Sequence, residues 1–126
     1  MLRKPNKLPV NDLKKLKTKA LRAYKAAVER ANPFTAIQFC VKKNGIPKPK
    51  KGGKTLIIGV GKASPAMING LRPSIDGPNN CICITHKENE EHVDDCEMFK
   101  AGHPVPDDTG ALASKRVISA LMEVGE

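Results

Sequence analysis

The stretch TLIIGVGKASPAM, Thr55 to Met67, constrains the fold more than any other part of the chain. A continuous run of β-prone apolar residues, TLIIGV, reads as a strand buried on both faces. Gly59-Val60-Gly61-Lys62 then breaks it, and Ala63, Ser64 and Pro65 open a helix that reaches about Leu71, the proline being tolerated in a first turn. A strand that turns into a helix through glycines presents backbone N–H groups at the helix mouth. That arrangement suits an anion such as phosphate.

The sequence after Met67 repeats the alternation. CICIT (Cys81–Thr85) is a second strand, and the acidic stretch KENEEHVDDCE separates it from a short third run, MFKA. GHPVPDD is a proline-pinned loop, after which Asp108 or Thr109 caps a last helix carrying Leu112, Val117, Ile118, Leu121 and Val124. Strands alternating with helices imply a parallel α/β sheet, Rossmann-like, with flanking helices and right-handed crossovers. About three parallel strands make a small sheet with open edges, so the pattern reads as an incomplete N-terminal portion of a larger protein.

Upstream, residues 11–31 form a helix candidate capped by Asn11, with Leu13, Leu16, Ala20, Tyr24, Ala27, Val28 and Ala31 on one face. Asn32-Pro33 starts a second, short helix containing Phe34, Ile37 and Phe39. Lys42 to Lys54, KKNGIPKPKKGGK, is too rich in proline and glycine for regular structure and reads as an exposed loop. The chain therefore divides into residues 1–54, two helices and a basic loop, and residues 55–126, a partial α/β domain.

Charge is uneven. The net +9 splits into +14 for residues 1–54, from 16 basic and 2 acidic residues, and −5 for residues 55–126, from 6 and 11. Such asymmetry can mark an arm for acidic partners. The basic half lacks the interleaved aromatics of a nucleic-acid platform, and aromatics are 3% of the whole chain, so a solvated helix face followed by a charged loop is the simpler reading. No apolar run approaches the ~20 residues of a membrane span, so no membrane partner is expected. The N-terminus has neither the apolar core of a secretory signal nor the Arg/Ser bias of a mitochondrial presequence, which leaves a cytoplasmic location as the expectation and a mitochondrial one as the alternative. Cys40, Cys81, Cys83 and Cys96 then read as reduced thiols. Without a CxxC pair they do not form a zinc pattern with His86 or His92, and no metal ligands are assigned.

Two nucleotide motifs fail at the glycine turn. Walker A needs glycine where Leu56 stands and Ser or Thr where Ala63 stands. The dinucleotide pattern matches Gly59 and Gly61 but has Ser64 at its third glycine, and Thr85-His86 where its ribose-binding acid belongs. Lys62 nevertheless sits at the carboxyl end of a strand, where open α/β sheets place ligands. The AGHPVPD loop leaves the same sheet edge, so His103 and Asp107 are expected to flank the cleft. Each has a plainer role open to it, backbone bonding for His103 and helix capping for Asp107.

GVGKASPAM followed about forty residues later by AGHPVPDDTGALASKRV resembles the N-terminal part of the glycerate 2-kinases, the class II or MOFRL-type glycerate kinases. AYKAAVERANPFTAI matches the helix before the first strand, and THKENEEHVDDCEMFKAGHPVPD the segment before the Pro-Asp loop, so the resemblance spans about residues 12–124. It implies a Rossmann-like domain and ATP-dependent phosphorylation of D-glycerate to 2-phosphoglycerate with Mg²⁺. It places a catalytic lysine at Lys62, with Gly59, Gly61, Ala63, Ser64, His103 and Asp107 around substrate or ATP. Members of the family run several hundred residues, with a Ser-Gly-Gly-Gly-Ser loop and a second domain that this sequence lacks. By that resemblance the chain is an N-terminal fragment of a two-domain kinase and forms one wall of its cleft, inactive on its own. The alternative is a non-catalytic fragment that binds acidic partners through its basic half.

Overall fold

The computed structural model describes residues 10–124. It contains α1 (Val10–Arg30), α2 (Pro33–Asn44), β1 (Thr55–Val60), α3 (Ser64–Leu71), a 3₁₀ turn (Arg72–Ser74), β2 (Asn79–His86), β3 (Glu97–Ala101) and α4 (Asp108–Val124). The three strands form one parallel sheet in the order β1-β2-β3. The α/β class and the parallel pairing are as the sequence implies.

The chain divides into two compact units at Asn32/Pro33, not at Lys54/Thr55. Within the second unit α2 lies so close to α3 that a Cβ on Gly70 would stand 2.6 Å from the Phe34 carbonyl oxygen. That approach makes α2 part of the sheet unit. The helix is also longer than its sequence suggests. It runs through Lys42 and Lys43, good helix formers, to Asn44, whose amide donates to the Cys40 carbonyl at 3.1 Å. The irregular segment is therefore 45–54.

Among the described residues the first unit holds α1. The helix already includes Asn11, so its cap lies outside the described residues. Every residue of α1 is exposed, the apolar face with Leu13, Leu16, Tyr24 and Val28 included.

Ladder register assigns the two faces of the sheet. Ile57 pairs with Cys81 and Gly59 with Cys83, and these alternate positions face α3, where Ile57, Ile68, Cys81, Cys83 and Val93 form the buried cluster. Residues one position out of phase face the other way. There Ile82 is 1% exposed, and α4 buries Ala113 and Ala120 and ties Arg116 to Glu97 of β3 at 2.7 Å. β1 departs from expectation because it is an edge strand. Ile57 is buried, but Ile58 and Val60 are 37% and 71% exposed.

The cysteines also depart from expectation. Cys81 and Cys96 form a disulfide with Cα atoms 4.6 Å apart, while Cys40 and Cys83 are free. The register explains the pairing. Ile82 stands opposite Glu97, so the residue before each, Cys81 and Cys96, must also meet. Burial pushes the Cys83 thiol up.

Candidate functional site

The carboxyl ends of three parallel strands open on one side, and the turns that leave them line a cavity of about 190 Å³. Val60, Gly61 and Lys62 come from β1 and its turn, Ile84, Thr85 and His86 from β2, and Ala101, Gly102 and His103 from β3. Lys62 and His103 thus share one sheet edge and one cavity, as the motif spacing implies.

The turn after β1 is built on Gly61, whose φ of +116° is closed to most side chains. Its N–H donates to the Ile84 carbonyl at 2.9 Å, continuing the ladder past the strand. Ser64 is 5% exposed. Its hydroxyl donates to the carbonyls of Gly61 at 2.7 Å and Ile84 at 3.1 Å and lies 3.3 Å from Cys83 Sγ. Its N–H also bonds the Gly61 carbonyl, at 3.2 Å. The N–H groups of Gly61 and Ser64 are therefore committed to the fold. Lys62 and Ala63 supply the N–H groups left for an anion. Gly59 serves packing, since a Cβ there would lie 2.6 Å from Ile68 Cδ1.

Asp107 does not line the cavity. Its Oδ1 accepts the Gly110 N–H at 3.0 Å, which makes Asp107, not Asp108 or Thr109, the cap of α4. Its Oδ2 lies 2.8 Å from Lys87 Nζ. Lys87, with the N–H groups of Gly102 and Gly110, holds this carboxyl far below the usual carboxylate range.

Sequence reasoning missed the loop after β2. Asn89 folds back so that its amide donates to the Lys62 carbonyl at 2.9 Å and to Thr85 Oγ1 at 3.0 Å. His86 Nδ1 lies 2.9 Å from Glu88 Oε2, and that bond holds the Glu88 carboxyl low. The Thr85-His86 dipeptide signals only what it lacks, an acid for a ribose; what it offers depends on how the acidic loop folds.

Residues 19–126 match the family described as a domain of unknown function, DUF4147. Among similar proteins, one from Agrobacterium vitis named for hydroxypyruvate reductase is 29% identical over 82% of this chain and 23% of its own length. A glycerate 2-kinase of Pyrococcus horikoshii is 26% identical over 84% of this chain and 25% of its own length. A D-glycerate 2-kinase of Thermotoga maritima is 24% identical over 91% and 27%. This chain thus spans about a quarter of the length of these relatives. The crystal structure of the PH0495 protein from Pyrococcus horikoshii superposes with a TM-score of 0.66 at 23% identity, over 85% of this chain and 26% of that one, and shows the shared fold.

Proposed function

The chain belongs to the DUF4147 family, and from that premise we propose that it forms the N-terminal wall of a glycerate 2-kinase site in which Lys62 holds the anionic groups of the reactants. The observation that carries the reading is the placement of Lys62 and His103 on one cavity at the carboxyl ends of three parallel strands. Two similar proteins that bear the glycerate 2-kinase name add weight to it.

Phosphoryl transfer asks a protein for positioning and charge neutralisation more than for covalent chemistry. An exposed lysine beside two uncommitted N–H groups supplies both to a carboxylate or phosphate oxygen. ATP would meet this edge through its phosphates, at the N–H groups of Lys62 and Ala63, and it supplies the phosphoryl group. No residue of this wall is assigned to Mg²⁺. Among the described residues no three His, Cys, Asp or Glu side chains group to hold a metal, and Asp107 is already bound to Lys87. No step is derived through it. Hydroxypyruvate reduction is the weaker reading, because β2 ends in Thr85-His86 with no acid for a dinucleotide ribose.

The test is ADP release from ATP, D-glycerate and Mg²⁺ by a chain of the relatives' full length that carries this segment. Lys62→Ala should remove most of the turnover and leave the fold intact, and Lys62→Arg should rescue poorly, since a planar fork does not replace a compact ammonium. Near-normal turnover in the Ala variant would make Lys62 a solvated surface charge.

A second reading has its own observation. No residue of α1 is buried, so Lys14, Lys15, Lys19, Arg22 and Lys25 stand in solvent beside two acids, Asp12 and Glu29. A salt-dependent shift on DNA that ignores ATP and D-glycerate would favour binding of acidic partners.

A further inference from the structure

The end of β2 carries a side-chain pair that the glycerate kinase reading leaves without a role. His86 is the last residue of β2 and lines the cavity that Lys62 and His103 share. Its Nδ1 lies 2.9 Å from Glu88 Oε2, within a turn closed by the Asn89 N–H on the His86 carbonyl at 3.1 Å. A carboxylate accepts a proton donor, so Glu88 keeps the imidazole proton on Nδ1 and leaves the lone pair on Nε2. Among the described residues Nε2 has no hydrogen-bond partner. The ring is 23% exposed, sheltered by the strand ends yet open to a small molecule.

Basic side chains share the cavity with the ring. Lys62 from the turn after β1 and His103 from the loop after β3 share the cavity, and Lys87, next along the chain, is paired with Asp107. Glu88 is the only carboxylate bonded to a histidine on this cavity among the described residues; His92 pairs with Asp94 elsewhere in the loop. A ligand whose carboxylate meets Lys62 therefore finds an oriented proton acceptor lining the same cavity.

We propose that His86, oriented by Glu88, accepts the proton of the alcohol group in a 2-hydroxy acid whose carboxylate Lys62 holds. The assignment rests on the glycerate kinase reading. The hydroxyl proton passes to Nε2, the hydroxyl oxygen bonds to phosphorus, and the electron pair of the broken P–O bond leaves with the nucleoside diphosphate. The imidazolium so formed lies against the Glu88 carboxylate, which offsets its charge.

The test is imidazole NMR on the 126-residue chain, labelled with ¹⁵N and titrated with D-glycerate or with 3-hydroxypropanoate, which keeps the carboxylate but lacks the 2-hydroxyl. The neutral His86 ring should carry its proton on Nδ1. D-glycerate should shift His86 Nε2 together with the Lys62 amide, whereas 3-hydroxypropanoate should shift the Lys62 amide alone. Glu88 is largely exposed, so E88A, which leaves no acceptor for Nδ1, should fold, lose the tautomer preference and lose the His86 response while keeping that of Lys62. If D-glycerate moves Lys62 and leaves His86 still, or E88A responds like the unsubstituted chain, the His86 assignment is wrong and the glycerate reading stands. If D-glycerate moves neither residue, the reading fails and the assignment with it.

Discussion

The side-chain amide of Asn89 donates to the carbonyl oxygen of Lys62 at 2.9 Å, joining two residues 27 apart in the chain. The same nitrogen reaches Thr85 Oγ1 at 3.0 Å. One side chain thus ties the glycine turn after β1 to the end of β2, and the lysine with them. The position of Lys62 thus depends on a loop far from the glycine turn in the chain.

Asn89→Ala should therefore loosen the turn without unfolding the sheet. Losing these bonds should cost about 1–2 kcal/mol, felt locally. Hydrogen exchange at the Gly61 and Ser64 amides, both bonded within the turn, should speed up, with exchange in β2 unchanged. Unaltered exchange at these amides would mean that the turn holds itself.

The cap of α4 makes stability depend on pH. Asp107 has its pKa lowered in the folded chain, so its contribution is complete above the unfolded value, near 4, and is lost as pH falls through that value towards the folded one. Glu88 and Glu97 are lowered too and act with the same sign. The diagnostic quantity is a difference: Asp107→Asn, which can still cap, should lower the melting temperature at neutral pH and have less to lose on acidification. Parallel curves for the two proteins from pH 7 to pH 3 would remove the charge of Asp107 from the account.

The Cys81–Cys96 bridge, with 15 residues of sequence separation, should stabilise the chain by roughly 3 kcal/mol, chiefly by restricting the unfolded state. Reductant, or Cys96→Ser, should lower the urea midpoint accordingly. Thiol titration of the unfolded, unreduced protein should find Cys40 and Cys83 only. Four reactive thiols would restore the reduced state expected from the sequence.

β1 is an edge strand with Ile58 and Val60 exposed and no charged side chain within it to discourage pairing. The chain should self-associate with rising concentration, and Ile58→Lys should reduce this while its circular dichroism stays the same. Light scattering after size exclusion decides it. A monomer at every concentration would show that the edge is protected in solution.

The glycine turn was legible because it is local: the apolar run, Gly59, Gly61 and Pro65 each dictate conformation within a few residues. The common cavity of Lys62 and His103 was legible because parallel strands put their carboxyl ends together. What escaped depends on distant partners. Cys96 meets Cys81 only once the β2-β3 register is set, and Asn89 meets Lys62 only once the acidic loop folds back. β1 looked doubly buried from its composition, but composition does not say which strand takes the edge. Asp107 was readable as a cap or as a ligand, and the closeness of Gly110 and Lys87 gives its carboxylate to the cap.

On the proposed reading, Lys62 makes the strand-end cavity an anion site for glycerate. The most direct measurement is an amide NMR titration of the chain with D-glycerate, comparing the unsubstituted protein with Lys62→Ala. Saturable shifts are expected at Gly61, Lys62, Ala63, the end of β2 at His86 and the His103 loop, with binding weaker by about tenfold or more in the variant, the value of a charge-assisted contact. Equal affinity in the two proteins, or shifts that avoid the cavity, would contradict it.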